Sequence, residues 1–196
     1  MKTHFRKLAV GFSVVLVLTF TARYRQHQLE RPAAREVRAN ELVRRDGRMY
    51  FDNETEPFSG FLTERYASGE LKARSRLESG LLEGVTEGWF TNETLQVREN
   101  FHAGVSHGVR TKWYENGTKM SKATIENGKV VGVFRRWHEN GELAEVIHLK
   151  NGEPEGDSWA FYPSGYARAT VHYENGALVR RESWKDGERK ITAASQ

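Results

Sequence analysis

The fold is decided by residues 113–141, which read WYENGTKMSKATIENGKVVGVFRRWHENG. The tripeptide Glu-Asn-Gly occurs there three times, ending at Gly117, Gly128 and Gly141, so the spacings are 11 and 13 residues and the period is 24. Asn-Gly tolerates the positive φ angles that tight hairpin turns require. About seven to nine residues are left between turns, which is too few for a helix plus a strand. The stretch therefore predicts consecutive β-hairpins.

The 24-residue period extends in both directions along the chain. Glycine recurs with this period in three series, which we call glycine ladders: Gly69, Gly117, Gly141 and Gly165; Gly80, Gly104, Gly128, Gly152 and Gly176; Gly60, Gly84, Gly108, Gly132 and Gly156. In the first ladder, Glu93 occupies the position between Gly69 and Gly117 where a glycine is missing. Aromatic residues dominate two further columns: Trp89, Trp113, Trp137 and Phe161; Tyr66, Phe90, Tyr114, His138 and Tyr162. The spacing shortens at both ends, as capping units of a repeat array do. The pattern predicts a repeat domain over residues 42–191 and a tail over residues 192–196.

The segments between turns alternate apolar and polar residues, as half-buried strands do. We therefore expect an all-β repeat array of antiparallel hairpins, forming an elongated, twisted, single-layer meander of about 13 strands. A two-residue loop at Asn140 would pair Trp137 with Ala144, and a three-residue loop would pair it with Leu143. We favour the three-residue loop, because it places the Trp and Leu columns on one apolar face. All three glycine ladders are interpreted as turn positions.

Residues 8–22 form an uncharged apolar run of 15 residues that follows Lys2, Arg6 and Lys7. Its length is typical of a signal-peptide core of about 7–15 residues and short for a membrane span of about 20. Residues 1–22 are therefore predicted to form an apolar helix that acts as a signal peptide or a signal anchor; a buried globular helix is the alternative. Residues 23–41 form a basic linker in which Pro32 would open a short helix. The protein is expected to be exported or membrane-anchored, on the periplasmic or extracytoplasmic side.

The net charge of +4 is unevenly distributed. Residues 1–45 contain ten Lys/Arg and three Glu, whereas residues 46–196 contain twenty Lys/Arg and twenty-three Asp/Glu. The repeat domain has no positive excess for neutralising phosphates, so nucleic acid is not an expected partner. Residues 1–45 are the segment expected to associate with an anionic membrane. The absence of Cys excludes a disulfide scaffold, a thiolate metal site and a Cys nucleophile.

The sequence offers no pattern typical of catalysis or metal binding. His148 and His172 are 24 residues apart, hence two ladder steps or about 9.5 Å, too far for one zinc ion. Ser106 and His107 are neighbours on a strand and would face opposite sides, so they do not form a nucleophile–base pair. No Walker or dinucleotide pattern is present. We expect no enzymatic activity, no cofactor and no metal; a hydrolase is the weakest of the alternatives.

The repeated residues resemble the MORN-repeat variant, as found in bacterial YwqK-family proteins described as antitoxin components. The resemblance rests on Tyr114-Glu115-Asn116-Gly117, Glu126-Asn127-Gly128-Lys129 and Trp137-His138-Glu139-Asn140-Gly141, and on the opening residues Leu42-Val43-Arg44-Arg45-Asp46-Gly47. It covers about 150 residues and is specific for architecture. It implies a scaffold that binds proteins or membrane lipids. Glu93 and Lys119 depart from the usual repeat.

We therefore expect a non-enzymatic scaffold that binds another protein, in the manner of an antitoxin; the alternative is a membrane- or envelope-associated scaffold that binds lipid or cell-surface components. The Trp column is predicted to pack the sheet, so that alanine at Trp113 or Trp137 would cost about 3–5 kcal/mol. A binding strip is the other reading of that column. The neighbouring column faces the other way and is expected to be nearly neutral in stability. It is the predicted partner-contact strip: Tyr66, Phe90, Tyr114 and Tyr162.

Overall fold

A computed structural model describes residues 35–191. The predicted signal segment, the linker before residue 35 and the tail lie outside the described residues. Within residues 35–191, no helix has the length and apolar character to cross a membrane.

The prediction of an all-β array of hairpins is confirmed, and a short 3-10 helix at Ala39–Glu41 accompanies the strands. The strands are β1 (Glu36–Arg38), β2 (Leu42–Arg45), β3 (Arg48–Phe51), β4 (Gly60–Arg65), β5 (Leu71–Glu78), β6 (Leu81–Trp89), β7 (Leu95–His102), β8 (Val105–Ser106), β9 (Gly108–Trp113), β10 (Lys119–Glu126), β11 (Lys129–Trp137), β12 (Leu143–Lys150), β13 (Glu153–Pro154), β14 (Gly156–Phe161), β15 (Ala167–Glu174) and β16 (Ala177–Ser183).

Fourteen strands form one open sheet that begins at β1 and ends at β16, and β2 and β3 form a separate hairpin. From β4 onward, neighbouring strands are antiparallel and follow chain order. β1 pairs in parallel with β4, so the sheet is mixed.

The helix predicted for the linker is wrong in its described part, because β1 and the 3-10 helix occupy residues 36–41. Val37 pairs with Leu62 and is buried in a cluster with Leu42, Phe58 and Leu77. Burial of the Val37 side chain against β4 and β5 favours an extended conformation over a helix. The sheet therefore begins at residue 36 rather than at residue 42.

The predicted tight turns are confirmed at the five glycines of the second ladder and also at Gly47. Both central residues have positive φ angles in the six turns Asp46-Gly47, Ser79-Gly80, Ala103-Gly104, Asn127-Gly128, Asn151-Gly152 and Asn175-Gly176. This is the type I′ geometry, whose twist matches that of the flanking strands. The third ladder is different. Gly84 and Gly132 lie inside strands next to a register shift, so they mark β-bulges rather than the turns that we predicted.

Glu93 occupies the left-handed region, with φ 63, where the equivalent residues of other repeats are glycines. The left-handed conformation costs a residue with a Cβ atom about 1–2 kcal/mol, and glycine avoids this cost. Glycine also loses more conformational entropy on folding, which offsets part of the gain. We expect Glu93→Gly to raise the free energy of unfolding by about 0.5–1 kcal/mol in urea denaturation. The reciprocal change Gly117→Glu is expected to lower it. Equal midpoints for the two variants would contradict this account.

A one-residue register shift next to the three-residue loops determines which side chains share a face. Trp137 pairs with Leu143, as predicted, but Arg136 pairs with Glu145, so Ala144 is an extra residue. Ile147 pairs with Phe134, three residues before Trp137 and therefore on the other side of the strand. The expectation of a single apolar face is wrong, because the bulge places the Trp column and most of the Leu column on opposite faces.

One row of directly opposed residues runs across nine strands and defines a face. It comprises Arg74, Glu87, Arg98, Thr111, Lys122, Arg135, Val146, Trp159 and Thr170. Trp89, Trp113, Trp137 and Phe161 each stand two residues from a member of this row, on the same side of their strand. We call this the Trp face and the other side the opposite face. Near the C-terminal end, the Trp face holds a core cluster of Val146, Phe161 and Ala167.

Candidate functional site

The predicted partner strip lies along one edge of the sheet, at the equivalent position of successive repeats. Each residue immediately precedes a three-residue loop, and its backbone N–H donates to the carbonyl four residues later: Tyr66 to Glu70, Phe90 to Thr94, Tyr114 to Thr118 and Tyr162 to Tyr166. All four side chains are half-buried. The strip is therefore a continuous structural feature that follows the loops.

Three members of the strip link neighbouring repeats through their hydroxyl groups. The donor–acceptor pairs are Tyr66 Oη to the Trp89 carbonyl (2.7 Å), Tyr114 Oη to the Trp137 carbonyl (2.8 Å) and Tyr162 Oη to the Trp184 carbonyl (3.0 Å). His138 continues the series, with its Nε2 3.0 Å from the Phe161 carbonyl. Phe90 has no polar atom for this contact. These hydrogen bonds argue against the expectation that the column is nearly neutral in stability.

Asparagines in the loops add a second ladder of hydrogen bonds along the same edge. The side-chain amides of Asn92, Asn116 and Asn140 donate to the carbonyls of Glu115, Glu139 and Pro163, each 23 residues further along. Each side-chain oxygen also accepts the N–H of the second following residue, as in an Asx turn. This edge is therefore held by repeat-to-repeat contacts.

A reciprocal pair of variants tests the structural role of the strip. Tyr114→Phe removes a hydroxyl that donates to the next repeat, and Phe90→Tyr supplies the hydroxyl that its repeat lacks. We expect the first change to lower and the second to raise the free energy of unfolding, each by about 0.5–1.5 kcal/mol. Thermal melts of the two variants check this. A loss of stability in Phe90→Tyr as large as that in Tyr114→Phe would contradict it.

Phe90 also lines a shallow groove in the middle of the array. The other lining residues are Gln96, Val97, Glu99, Arg110, Lys112, Trp113 and Met120. Glu99 is held there by Arg110, at 3.4 Å, and by the Ser106 hydroxyl. The Glu99 carboxylate is already paired within the groove, so the groove is not arranged for proton transfer.

Two carboxyl groups have lowered pKa values. The Ala103 backbone N–H, followed by the His102 ring, lowers the pKa of Glu83. The Ser68 hydroxyl and the residue's own backbone N–H lower the pKa of Glu70. Both groups accept hydrogen bonds beside turns, and Glu83 ties one repeat to the next turn by a 2.8 Å bond to Ala103. These shifts follow from turn stabilisation.

His148 and His172 lie on either side of β14 and both contact Asp157. His172 Nδ1 is 2.7 Å from an Asp157 carboxylate oxygen, and His148 Nδ1 is 2.6 Å from the Asp157 carbonyl. Within the described part of the chain, no group of three His, Asp or Glu side chains is arranged to hold a metal ion.

The central part of the Trp face is accessible to solvent. Val85 and Val109 are 46% and 41% exposed, and Trp113 and Trp137 are half-buried. Lys119 Nζ lies 5.2 Å from the centre of the Trp137 ring, within the range of a cation–π contact. Lys122 and Arg135 stand directly opposite each other on β10 and β11. This pair could not be predicted from the sequence, because recognising it requires the register on both sides of two bulges.

The comparison with known proteins agrees with this architecture. Residues 106–127 and 130–151 match the family described as MORN repeat variant. No curated protein matches the chain.

Proposed function

We propose that this protein is a non-enzymatic scaffold that binds another protein through its repeat sheet. Two segments match the MORN repeat variant, and repeats of this type generally serve to bind proteins or membrane lipids. Consecutive antiparallel strands extend on either side of these segments, from β4 to β16. We also propose that residues 1–22 export the protein or anchor it to a membrane, which would place the sheet outside the cytoplasm.

The observation that carries the proposal is the accessible Trp face over β6–β12. It presents half-buried indole rings beside exposed valines, on strands whose backbone is already paired on both edges. Apolar and aromatic side chains on a rigid frame are the usual anchors of protein interfaces. An ordered sheet also loses little conformational entropy on binding.

The test is capture of a partner by the tagged full chain, with quantification of the retained protein by mass spectrometry. Val85→Asp with Val109→Asp places two negative charges on the Trp face, and Lys112→Asp makes an equal net charge change on the opposite face. We expect the first variant to lose the partner and the second to retain it. Retention by both, or flotation of the chain with lipid vesicles and no protein partner, would contradict the proposal.

The resemblance to YwqK-family proteins extends the proposal to a toxin as the bound protein. Co-expression of the captured partner with and without this chain tests that extension, since an antitoxin is expected to restore growth. Capture of a non-toxic partner would leave the scaffold proposal in place and contradict the extension.

A further inference from the structure

Lys122 and Arg135 form an unusual pair at the centre of the sheet. They are directly opposed on neighbouring strands, and both side chains are exposed. Like charges in such positions destabilise a sheet. The residues that flank them in the same row are uncharged: Thr111 lies opposite Lys122, and Val146 lies opposite Arg135. Within residues 35–191, neither cation has an ion-pair partner.

Four other arginines of the sheet each have a carboxylate beside them. Carboxylates neutralise them in the pairs Arg74–Glu36 (3.4 Å), Arg98–Glu87 (2.6 Å), Arg110–Glu99 (3.4 Å) and Arg136–Glu145 (3.2 Å). Arg136 follows Arg135 in β11 and faces the other side of the sheet. Arg136 is paired with Glu145, whereas Arg135 on the Trp face has no carboxylate partner in the described part of the chain. Lys122 and Arg135 therefore differ from these four arginines in having no carboxylate beside them among the described residues.

The rows on either side of the pair complete a basic and aromatic surface. One row holds Trp113 opposite Lys119, and Trp137 opposite Leu143. The other holds Thr124 opposite both Val109 and Val131. Across these three rows of β9–β12 the described structure places three cations and two indole rings, and no carboxylate. We call Trp113, Lys119, Lys122, Arg135 and Trp137 the basic patch.

We propose that the basic patch binds an acidic peptide segment of a partner protein. Its carboxylates would pair with Lys119, Lys122 and Arg135, and its apolar side chains would pack on the two indole rings. This inference rests on the proposed function and names the contact surface and the chemistry of the partner.

Charge distribution favours a short acidic segment over an extended anionic surface. Residues 46–196 carry twenty Lys/Arg against twenty-three Asp/Glu, so the domain as a whole does not attract a membrane or a nucleic acid. At physiological salt, charges act over about 8 Å, which is enough for a peptide seated on the patch to respond to the three cations alone. A flat membrane would also meet the surrounding carboxylates.

The experiment measures binding of the full chain to a fluorescein-labelled ten-residue peptide of Asp and Glu with two Trp residues, by fluorescence anisotropy. We expect the double change Lys122→Glu and Arg135→Glu to weaken binding about tenfold, from the summed effect of several charge contacts. Lys112→Glu makes the same kind of change on the opposite face and is expected to stay within about twofold. The basic N-terminal segment is identical in all variants, so the differences report the patch.

A stability readout separates lost binding from lost folding. Lys122→Glu alone puts a carboxylate opposite Arg135, so its melting temperature is expected to rise while its affinity for the peptide falls. An equal loss of peptide binding in Lys112→Glu would overturn the proposal, as would the absence of binding. If the unaltered chain binds anionic phospholipid vesicles and the Lys122→Glu and Arg135→Glu variant loses that binding, the patch binds a membrane and the proposal is also overturned. If the Lys122→Glu variant captures the partner as well as the unaltered chain does, the basic patch is not the contact surface. The proposed scaffold function would not be affected by that result.

Discussion

Alanine at Gly80 is expected to lower the free energy of unfolding by about 2–5 kcal/mol. A Cβ atom there would lie 2.8 Å from the Arg48 Cβ and 2.9 Å from the backbone N and O of Met49. Gly80 also holds the turn to its neighbours, since its N–H donates to Phe58 and its carbonyl accepts from Met49. The expected loss combines overpacking of about 1–3 kcal/mol with a left-handed backbone cost of about 1–2 kcal/mol.

Gly47→Ala is the matched control for this change. Gly47 has nearly the same conformation, φ +79 against φ +77 at Gly80, but a Cβ there meets nothing within 4 Å. Only the backbone cost of about 1–2 kcal/mol is expected. Denaturant melts of both variants decide the matter: equal losses would show that turn conformation alone, and not close packing of β3 on the β5–β6 turn, explains the glycine.

Phe161→Ala is the second large effect, with an expected loss of about 3–5 kcal/mol. The ring is 4% exposed and packs with Val146 and Ala167, both at 0%. Trp113 and Trp137 occupy the same column but are half-buried. The structure therefore lowers the cost that we predicted from the sequence for alanine at these two positions to about 1–3 kcal/mol. Calorimetric melts of the three alanine variants check this. Equal losses at Trp113, Trp137 and Phe161 would show that the whole column is a buried core.

The sequence predicts the hairpins well, because turn chemistry is local. Asn127-Gly128 and Asn151-Gly152 require positive φ angles wherever they occur, and the 24-residue period repeats that requirement. The predicted pairing of Trp137 with Leu143 is confirmed, although the reason for favouring it, a single apolar face, is wrong. These features depend on a few adjacent residues, so a single sequence contains them.

The distribution of side chains over two faces was not predicted, because each bulge changes the side-chain parity of a whole strand. Nothing in the residues around Ala144 distinguishes an extra residue from a paired one. The basic patch was not predicted for the same reason. Lys122 lies opposite Arg135 only when the register shift between Lys122 and Thr124 is taken into account. The role of Tyr114 was missed for a different reason. Its hydroxyl bonds to a carbonyl 23 residues away, and alternation carries no signal of such a contact.

The central claim is that the protein binds its partner with the Trp face of the sheet. Site-specific photo-cross-linking in the cells that make the protein tests it most directly, with the reactive side chain at Val109 or at Lys112. Both positions are exposed on β9, and they are three residues apart, so they face opposite sides. The account predicts a cross-linked adduct with one protein from Val109 and none from Lys112. An adduct from Lys112 alone, or lipid adducts in place of protein from Val109, would contradict it.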